Sequence, residues 1–442
     1  MTKKAFNGPT MRTNQLSKNL KTYKIMNLKV RLSVMNFLEF AVWGSYLTCM
    51  GIYLSNIGLG SYIGYFFAVQ GFVSIFMPTL MGIVADRWIP AQRLLGLCHL
   101  MAGIFMLAAG WYGMNNGQQT EFGTLFPLYS LSVAFYMPTL ALTNSVAYNA
   151  LTKAGMDTVR DFPPIRVFGT IGFILTMWIV DFVDFEQNQN QFLLCGILSL
   201  ILFLYSFTLP TCPVKENVGK KSMVEMLGLQ AFTLFRQKKM AIFFIFSMLL
   251  GVSLQITNGY ATPFIDHFKE MAEYADSFGV QYPVVLYSVS QISETVCILF
   301  IPFFMKRYGI KQVMLIAMFA WTLRFGFLGL GNPGFPGVLL FILSMIVYGM
   351  AFDFFNISGS LYVDKTTDPT IRSSAQGLFM MMTNGFGATI GSLVAQAVVN
   401  GNTAPDGSVV WTMVWATFSI YALLVGISFA FIFRPRPEEN MV

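Results

Sequence analysis

The chain has 442 residues, of which 55% are hydrophobic and only 11% charged. Its 28 Lys and Arg and 21 Asp and Glu, a formal charge of +7, are too few to cover the surface of a soluble protein of this length. A soluble enzyme, a disordered chain and a secreted disulfide scaffold are thereby excluded, and an integral membrane protein is indicated.

Residues 1–25 are polar and basic and lack the apolar core of a signal peptide, so they are expected to form a disordered extension, with Met26 an equally good start. A membrane-spanning helix needs about 20 mostly apolar residues. Runs of that kind predict twelve spans, at 31–56, 61–85, 94–114, 122–148, 164–183, 191–211, 240–263, 282–305, 312–331, 336–361, 373–399 and 409–433. The runs are continuously apolar, without the alternation of a β-barrel. The longest break, 212–239, acts as a linker between an N-terminal half at 26–211 and a C-terminal half at 240–433, and 434–442 form a tail. The expected fold is all-α, with twelve transmembrane helices in two six-helix halves.

Of the 28 basic residues, 26 lie in the N-terminal segment, in the loops after even-numbered spans, at the edge of those loops, or in the tail. Only Lys269 lies in an opposite-side loop, and only Arg324 lies well inside a span. The positive-inside rule then places both termini in the cytoplasm, and the basic balance marks that face rather than a nucleic-acid partner. Cys49, Cys98, Cys195, Cys212 and Cys297 have no metal-ligand or redox spacing, and all but Cys212 fall in apolar runs as expected buried thiols. His99 and His267 stand far apart and unaccompanied, so neither a metal nor a cofactor is expected. A Walker-type phosphate loop is missing, which argues against ATP hydrolysis.

The second span ends in Gly82-Ile83-Val84-Ala85-Asp86-Arg87, with Arg93 six residues on, and the eighth ends at the corresponding place in Lys306-Arg307-Tyr308-Gly309-Ile310-Lys311. A short charged turn there can pair with neighbouring helix ends, and Asp86 and Arg87 are candidates for a cytoplasmic gate loop. The arrangement resembles the signature loop of the major facilitator superfamily, although Trp88-Ile89-Pro90 replaces the usual small residues. Two parallel six-helix halves imply a substrate site at the membrane midplane and alternating access by rocking.

Ionisable groups inside a span are costly and are functional candidates. Three acids, Glu39, Glu294 and Asp353, and one base, Arg324, lie deep. Helical rise puts Glu294 and Asp353 about 16–18 Å, and Arg324 about 20 Å, from the cytoplasmic ends of their helices. A carboxyl in that layer is stable when neutral and costly when charged, which suits proton exchange with alternating sides. For Arg324 a structural partnership with Asp353, or snorkelling outwards, is expected; for Glu39 a structural ion pair and a functional role are equally good readings. Around the acids, Gln255 and Asn258, Gln291 and Glu294, and Tyr348 and Phe352 share helix faces at three or four residues, as do Arg166, Thr170 and Phe173. Amides, carboxylates and aromatics on four faces suit a small, flat, neutral ligand rich in hydroxyls.

Several stretches closely resemble the bacterial nucleoside permeases of the nucleoside:proton symporter family, within the major facilitator superfamily. They are Asp161-Phe-Pro-Pro-Ile-Arg166 with Gly169-Thr-Ile-Gly-Phe173, Leu254-Gln-Ile-Thr-Asn258, Ser290-Gln-Ile-Ser-Glu294 and Tyr348-Gly-Met-Ala-Phe-Asp353. Ile242 to Gly251, Ser374-Ala-Gln-Gly377 and Met381 to Gly387 add to them, and the resemblance runs from about residue 26 to 433. It implies import of purine and pyrimidine nucleosides by a monomer in the bacterial inner membrane, driven by protons. It also implies nucleoside contacts at Arg166, Thr170, Phe173, Gln255, Asn258, Gln291, Glu294, Tyr348, Phe352 and Asp353, with Glu294 and Asp353 as the proton-linked acids. The alternatives are a proton-coupled sugar or glycoside symporter on the same fold, and a non-transporting membrane sensor.

Overall fold

The computed structural model describes residues 10–212, 229–368 and 371–440. The described chain is helical apart from its turns and one isolated bridge between Thr403 and Val409. The first pass runs Thr10–Gly44 and resumes at Met50–Asn56; the second is Ile63–Arg87 and the third Ala91–Asn116. The fourth comprises Phe122–Tyr136 and Thr139–Lys153, the fifth is Thr158–Phe182 and the sixth Asn190–Ser206. The seventh to tenth are Lys238–Asp266, Pro283–Tyr308, Ile310–Leu330 and Gly337–Thr366. The eleventh joins Arg372–Met380, a π-helical turn at Met381–Gly387 and Ala388–Gly401, and the twelfth is Trp411–Ile432. Ten passes are long and apolar enough to cross a membrane; the sixth is apolar but shorter, and the first carries the basic N-terminal stretch.

Each expected span therefore has its helix, with local differences. The first helix begins at Thr10, so the backbone of residues 10–25 is helical where disorder was expected, and residues 1–9 lie outside the described residues. The sixth stops at Ser206 because three successive turn bonds tighten the chain over Phe207–Leu209 before Pro210, and the residue before a proline avoids the helical region. Pro138 has no N–H to continue the ladder and interrupts the fourth pass. Residues 213–228 of the expected linker lie outside the described residues; Leu229–Arg236 form a 3₁₀ helix, and the seventh pass begins at Lys238. In the tail, Pro437–Asn440 make one short helix, and residues 441–442 lie outside the described residues.

The packing order repeats. The first pass packs on the fifth, the second on the fourth, and the third on the fourth and sixth; likewise the seventh packs on the eleventh, the eighth on the tenth, and the ninth on the tenth and twelfth. The third, sixth, ninth and twelfth turn Leu97, Ile104, Ile197, Leu204, Leu323, Leu330, Ile420 and Leu424 outward and exposed. Apolar faces of this extent need a lipid solvent.

The halves meet where the second pass packs on the eleventh, the fifth on the eighth and Met50–Asn56 on the seventh. Gly64 is required there: a Cβ would lie 2.5 Å from the Ser392 carbonyl oxygen, and its N–H donates to Gln396 Oε1 at 2.6 Å. Trp178 Nε1 donates to Ser288 Oγ at 2.8 Å, the Val285 N–H to Asp181 Oδ2 at 2.7 Å, and Gln187 Nε2 to Asp266 Oδ1 at 3.1 Å. The Thr262 hydroxyl donates to the Thr48 carbonyl. These bonds lie toward the helix ends opposite the basic loops.

Candidate functional site

On the fifth helix Arg166, Thr170 and Phe173 form one stripe. The first helix supplies their neighbours. The Arg166 guanidinium lies over the Phe40 ring, 3.8 Å from its centroid, a cation–π contact that holds the flat cation on the first helix. Phe173 is buried edge-on to Trp43, with centroids 6.1 Å apart. Gly44 allows that approach, since a Cβ there would lie 2.5 Å from the Phe173 carbonyl oxygen. Thr170 is half-buried between them along the stripe.

The C-terminal half contributes three helices. Gln255 and Asn258 lie on the seventh, and Asn258 Oδ1 accepts the Tyr287 hydroxyl at 3.2 Å. Gln291 and Glu294 lie on the eighth, the first buried and the second half-buried. On the tenth, Tyr348 and Phe352 stack with planes 3° apart and centroids at 5.8 Å, and the next residue, Asp353, is 6% exposed. Glu294 is the charge acting on Asp353, and Arg166 the charge acting on Glu294, so cation and acids from both halves form one electrostatic group.

Three acceptor atoms here, Gln255 Oε1, Gln291 Oε1 and Asp353 Oδ2, are buried and have no donor among the described residues. A buried acceptor left unpaired costs about 1–3 kcal/mol. Acceptors on three neighbouring helices in this condition make a site that takes up hydroxyl, N–H or proton donors. Among the described residues no cluster of three or more His, Cys, Asp or Glu could hold a metal ion. The cysteines are free; Cys212 is buried along with Cys49, Cys98 and Cys195, and Cys297 is half-buried.

Other ionisable groups differ from expectation. Arg324 neither snorkels nor pairs with Asp353: it is fully buried, and Nη1 donates to the Ser344 carbonyl at 2.9 Å and to Ser290 Oγ at 3.3 Å. His99 is accompanied after all. Its Nε2 lies 2.9 Å from Glu39 Oε2, which also accepts Thr143 Oγ1 at 2.9 Å, while Glu39 Oε1 accepts Thr139 Oγ1 at 2.5 Å. Asp181, at the end of the fifth helix, is a buried acid that depth alone did not single out. Tyr287 was detectable, since it stands four residues before Gln291 on the same helix face. In the gate loop Asp86 is exposed and Arg87 half-buried in the last turn of the second helix. The matching turn after the eighth helix is capped by the tail, where Asn440 Oδ1 accepts the Lys311 N–H at 2.7 Å.

The sequence model of the family described as nucleoside H+ symporters matches residues 26–438. The xanthosine permease of Escherichia coli is 47% identical over 420 residues, covering 94% of this chain and 98% of that protein. The nucleoside permease NupG of Escherichia coli is 46% identical over 412 residues, covering 92% of this chain and 96% of that protein. A crystal structure of the nucleoside transporter NupG superposes with a TM-score of 0.85 at 45% identity, covering 93% of this chain and 100% of the other. A D-xylose–proton symporter, at 12% identity and a TM-score of 0.67, shares the fold. The chain belongs to the nucleoside H+ symporter family.

Proposed function

We propose that this member of the family imports purine and pyrimidine nucleosides across the bacterial cytoplasmic membrane together with protons, by alternating access. The observation that carries the reading is the set of unpaired buried acceptors, Gln255 Oε1, Gln291 Oε1 and Asp353 Oδ2, beside the stacked Tyr348 and Phe352 rings. Ribose hydroxyls and base N–H groups supply the donors these atoms lack, and aromatic faces accept the base. Arg166, Thr170 and Phe173 close the ligand from the N-terminal half, and Asn258 completes the amide wall. Every one of these residues comes from a single chain, so a monomer holds a whole site.

Glu294 and Asp353 carry the proton. Two acids on facing helices of the bundle, the eighth and the tenth, suit a site that takes up and gives back a proton. A charged Glu294 attracts Arg166 of the other half, and a neutral one releases it, so protonation bears on how the halves close around the nucleoside. The basic face is cytoplasmic, with both termini inside. The halves are joined at the opposite, outer ends, which closes the site on that side.

Uptake of labelled uridine in cells lacking other permeases tests the reading. Accumulation is expected to collapse with a protonophore and to be lost in Asp353→Asn; accumulation that survives either change contradicts the coupling. Competition by adenosine but not by free ribose or lactose separates a nucleoside carrier from a sugar symporter.

A further inference from the structure

We propose that Arg324 is a positioning residue that holds the C-terminal wall of the nucleoside site in register, at a cost in stability. The guanidinium is fully buried at the centre of the ninth helix. One of its nitrogens, Nη1, bonds the Ser344 carbonyl and Ser290 Oγ; Nε and Nη2 are buried with no partner among the described residues, and none of the ion pairs formed there includes Arg324. A side chain retained for stability is not built this way. A buried charge with unsatisfied donors is costly, and apolar replacement of buried ionic groups is often neutral or stabilising.

What the guanidinium does touch leads to the site. It lies 4.4 Å from the centroid of Tyr348, the ring stacked on Phe352, and 5.6 Å from that of Tyr287, whose hydroxyl bonds Asn258. Ser290, which it holds by the hydroxyl, precedes Gln291. The Ser344 hydroxyl returns a bond to the Arg324 carbonyl at 3.0 Å, tying the ninth and tenth helices at the same level. One flat cation on the ninth helix thus holds the eighth and tenth through two aromatic faces and two hydrogen bonds, and Tyr287 passes that hold on to Asn258 of the seventh. A flexible ammonium does this less well, and an aliphatic chain does not do it.

The inference rests on the nucleoside reading of the site. Its test measures thermal unfolding and uridine binding on the purified full-length protein and on Arg324→Met and Arg324→Lys. Arg324→Met is expected to melt at the same or a higher temperature while binding uridine about tenfold more weakly, and Arg324→Lys to recover part of the affinity. Unchanged affinity in Arg324→Met overturns the proposal. So does an Arg324→Met protein that melts lower or fails to fold, because Arg324 is then a structural residue. Failure of the unsubstituted protein to bind uridine overturns the nucleoside reading, and this inference with it; uridine binding that is intact in both proteins overturns the role of Arg324 alone.

Discussion

Asp181 ends the fifth helix in the N-terminal half and accepts the Val285 N–H in the first turn of the eighth helix, in the C-terminal half, at 2.7 Å. That helix begins with Pro283, and its first-turn N–H groups have no intrahelical acceptor. The carboxyl oxygen therefore works as an N-cap in trans, latching the halves at the outer end by a hydrogen bond to an otherwise unpaired first-turn N–H. Removing it in Asp181→Ala takes away about 2 kcal/mol from the outward-closed arrangement. That is about 30-fold in the ratio of closed to open molecules. Asp181→Asn keeps an acceptor at the same place and is expected to lose less than Asp181→Ala. Spin labels at Ser61 and Phe278, both exposed at that end on different halves, read the two populations as two distances. The long-distance population is expected to grow in the order unsubstituted, Asp181→Asn, Asp181→Ala. Equal distributions in all three proteins would show that the contact is incidental to closure.

Truncating Phe352 to Ala removes one face of the stacked pair, so the KM for uridine uptake is expected to rise about tenfold with Vmax largely kept; a fall in Vmax at unchanged KM contradicts a role in holding the base. Glu186, in the outer loop before the sixth helix, is buried, and burial pushes its carboxyl from the ordinary 4.5 up to about 6, against a hydrogen bond from Gln187 that works the other way. An acid raised in this way favours the neutral native state, so stability is fully present below the unfolded value and falls as pH rises through about 6. Glu186→Gln is then expected to raise stability at neutral pH by about 1 kcal/mol, after allowance for solvent screening, and to change nothing below about pH 4; parallel melting curves across that range for both proteins contradict it.

The spans were legible because lipid imposes one requirement, a long apolar run with its backbone satisfied internally, and charge is expelled to the ends. Gln255, Asn258, Gln291, Glu294, Tyr348 and Phe352 were legible because polar groups three or four apart on an otherwise apolar helix share a face. What spacing does not carry is the choice of partner between helices. Glu39 and His99 are 60 residues apart, and Asp181 and Val285 are 104 apart. No periodicity within one helix encodes which neighbour a side chain meets. The helix breaks at Ser45–Cys49 and after Tyr136 were lost for a related reason: an apolar run reads the same whether or not it bends.

Glu39, Asp353 and Arg324 are all ionisable groups inside apolar spans, Glu39 nearer the cytoplasmic end, and their partners separate them further. Both oxygens of Glu39 are engaged, by Thr139, Thr143 and His99, so the protein itself offsets the burial of that acid, which belongs to the scaffold of the N-terminal half. Among the described residues, Asp353 keeps one oxygen without a donor, and Arg324 two nitrogens without acceptors. For Asp353 a proton or a donor on the ligand would make the deficit good, and the proposed coupling role needs a group of that kind. A group fully tied by fixed donors holds one charge state through the cycle, whereas a group left short of partners changes state when the site fills. For these deep ionisable groups, then, the partners they have, more than their burial, distinguish Glu39 from the proposed coupling acid Asp353.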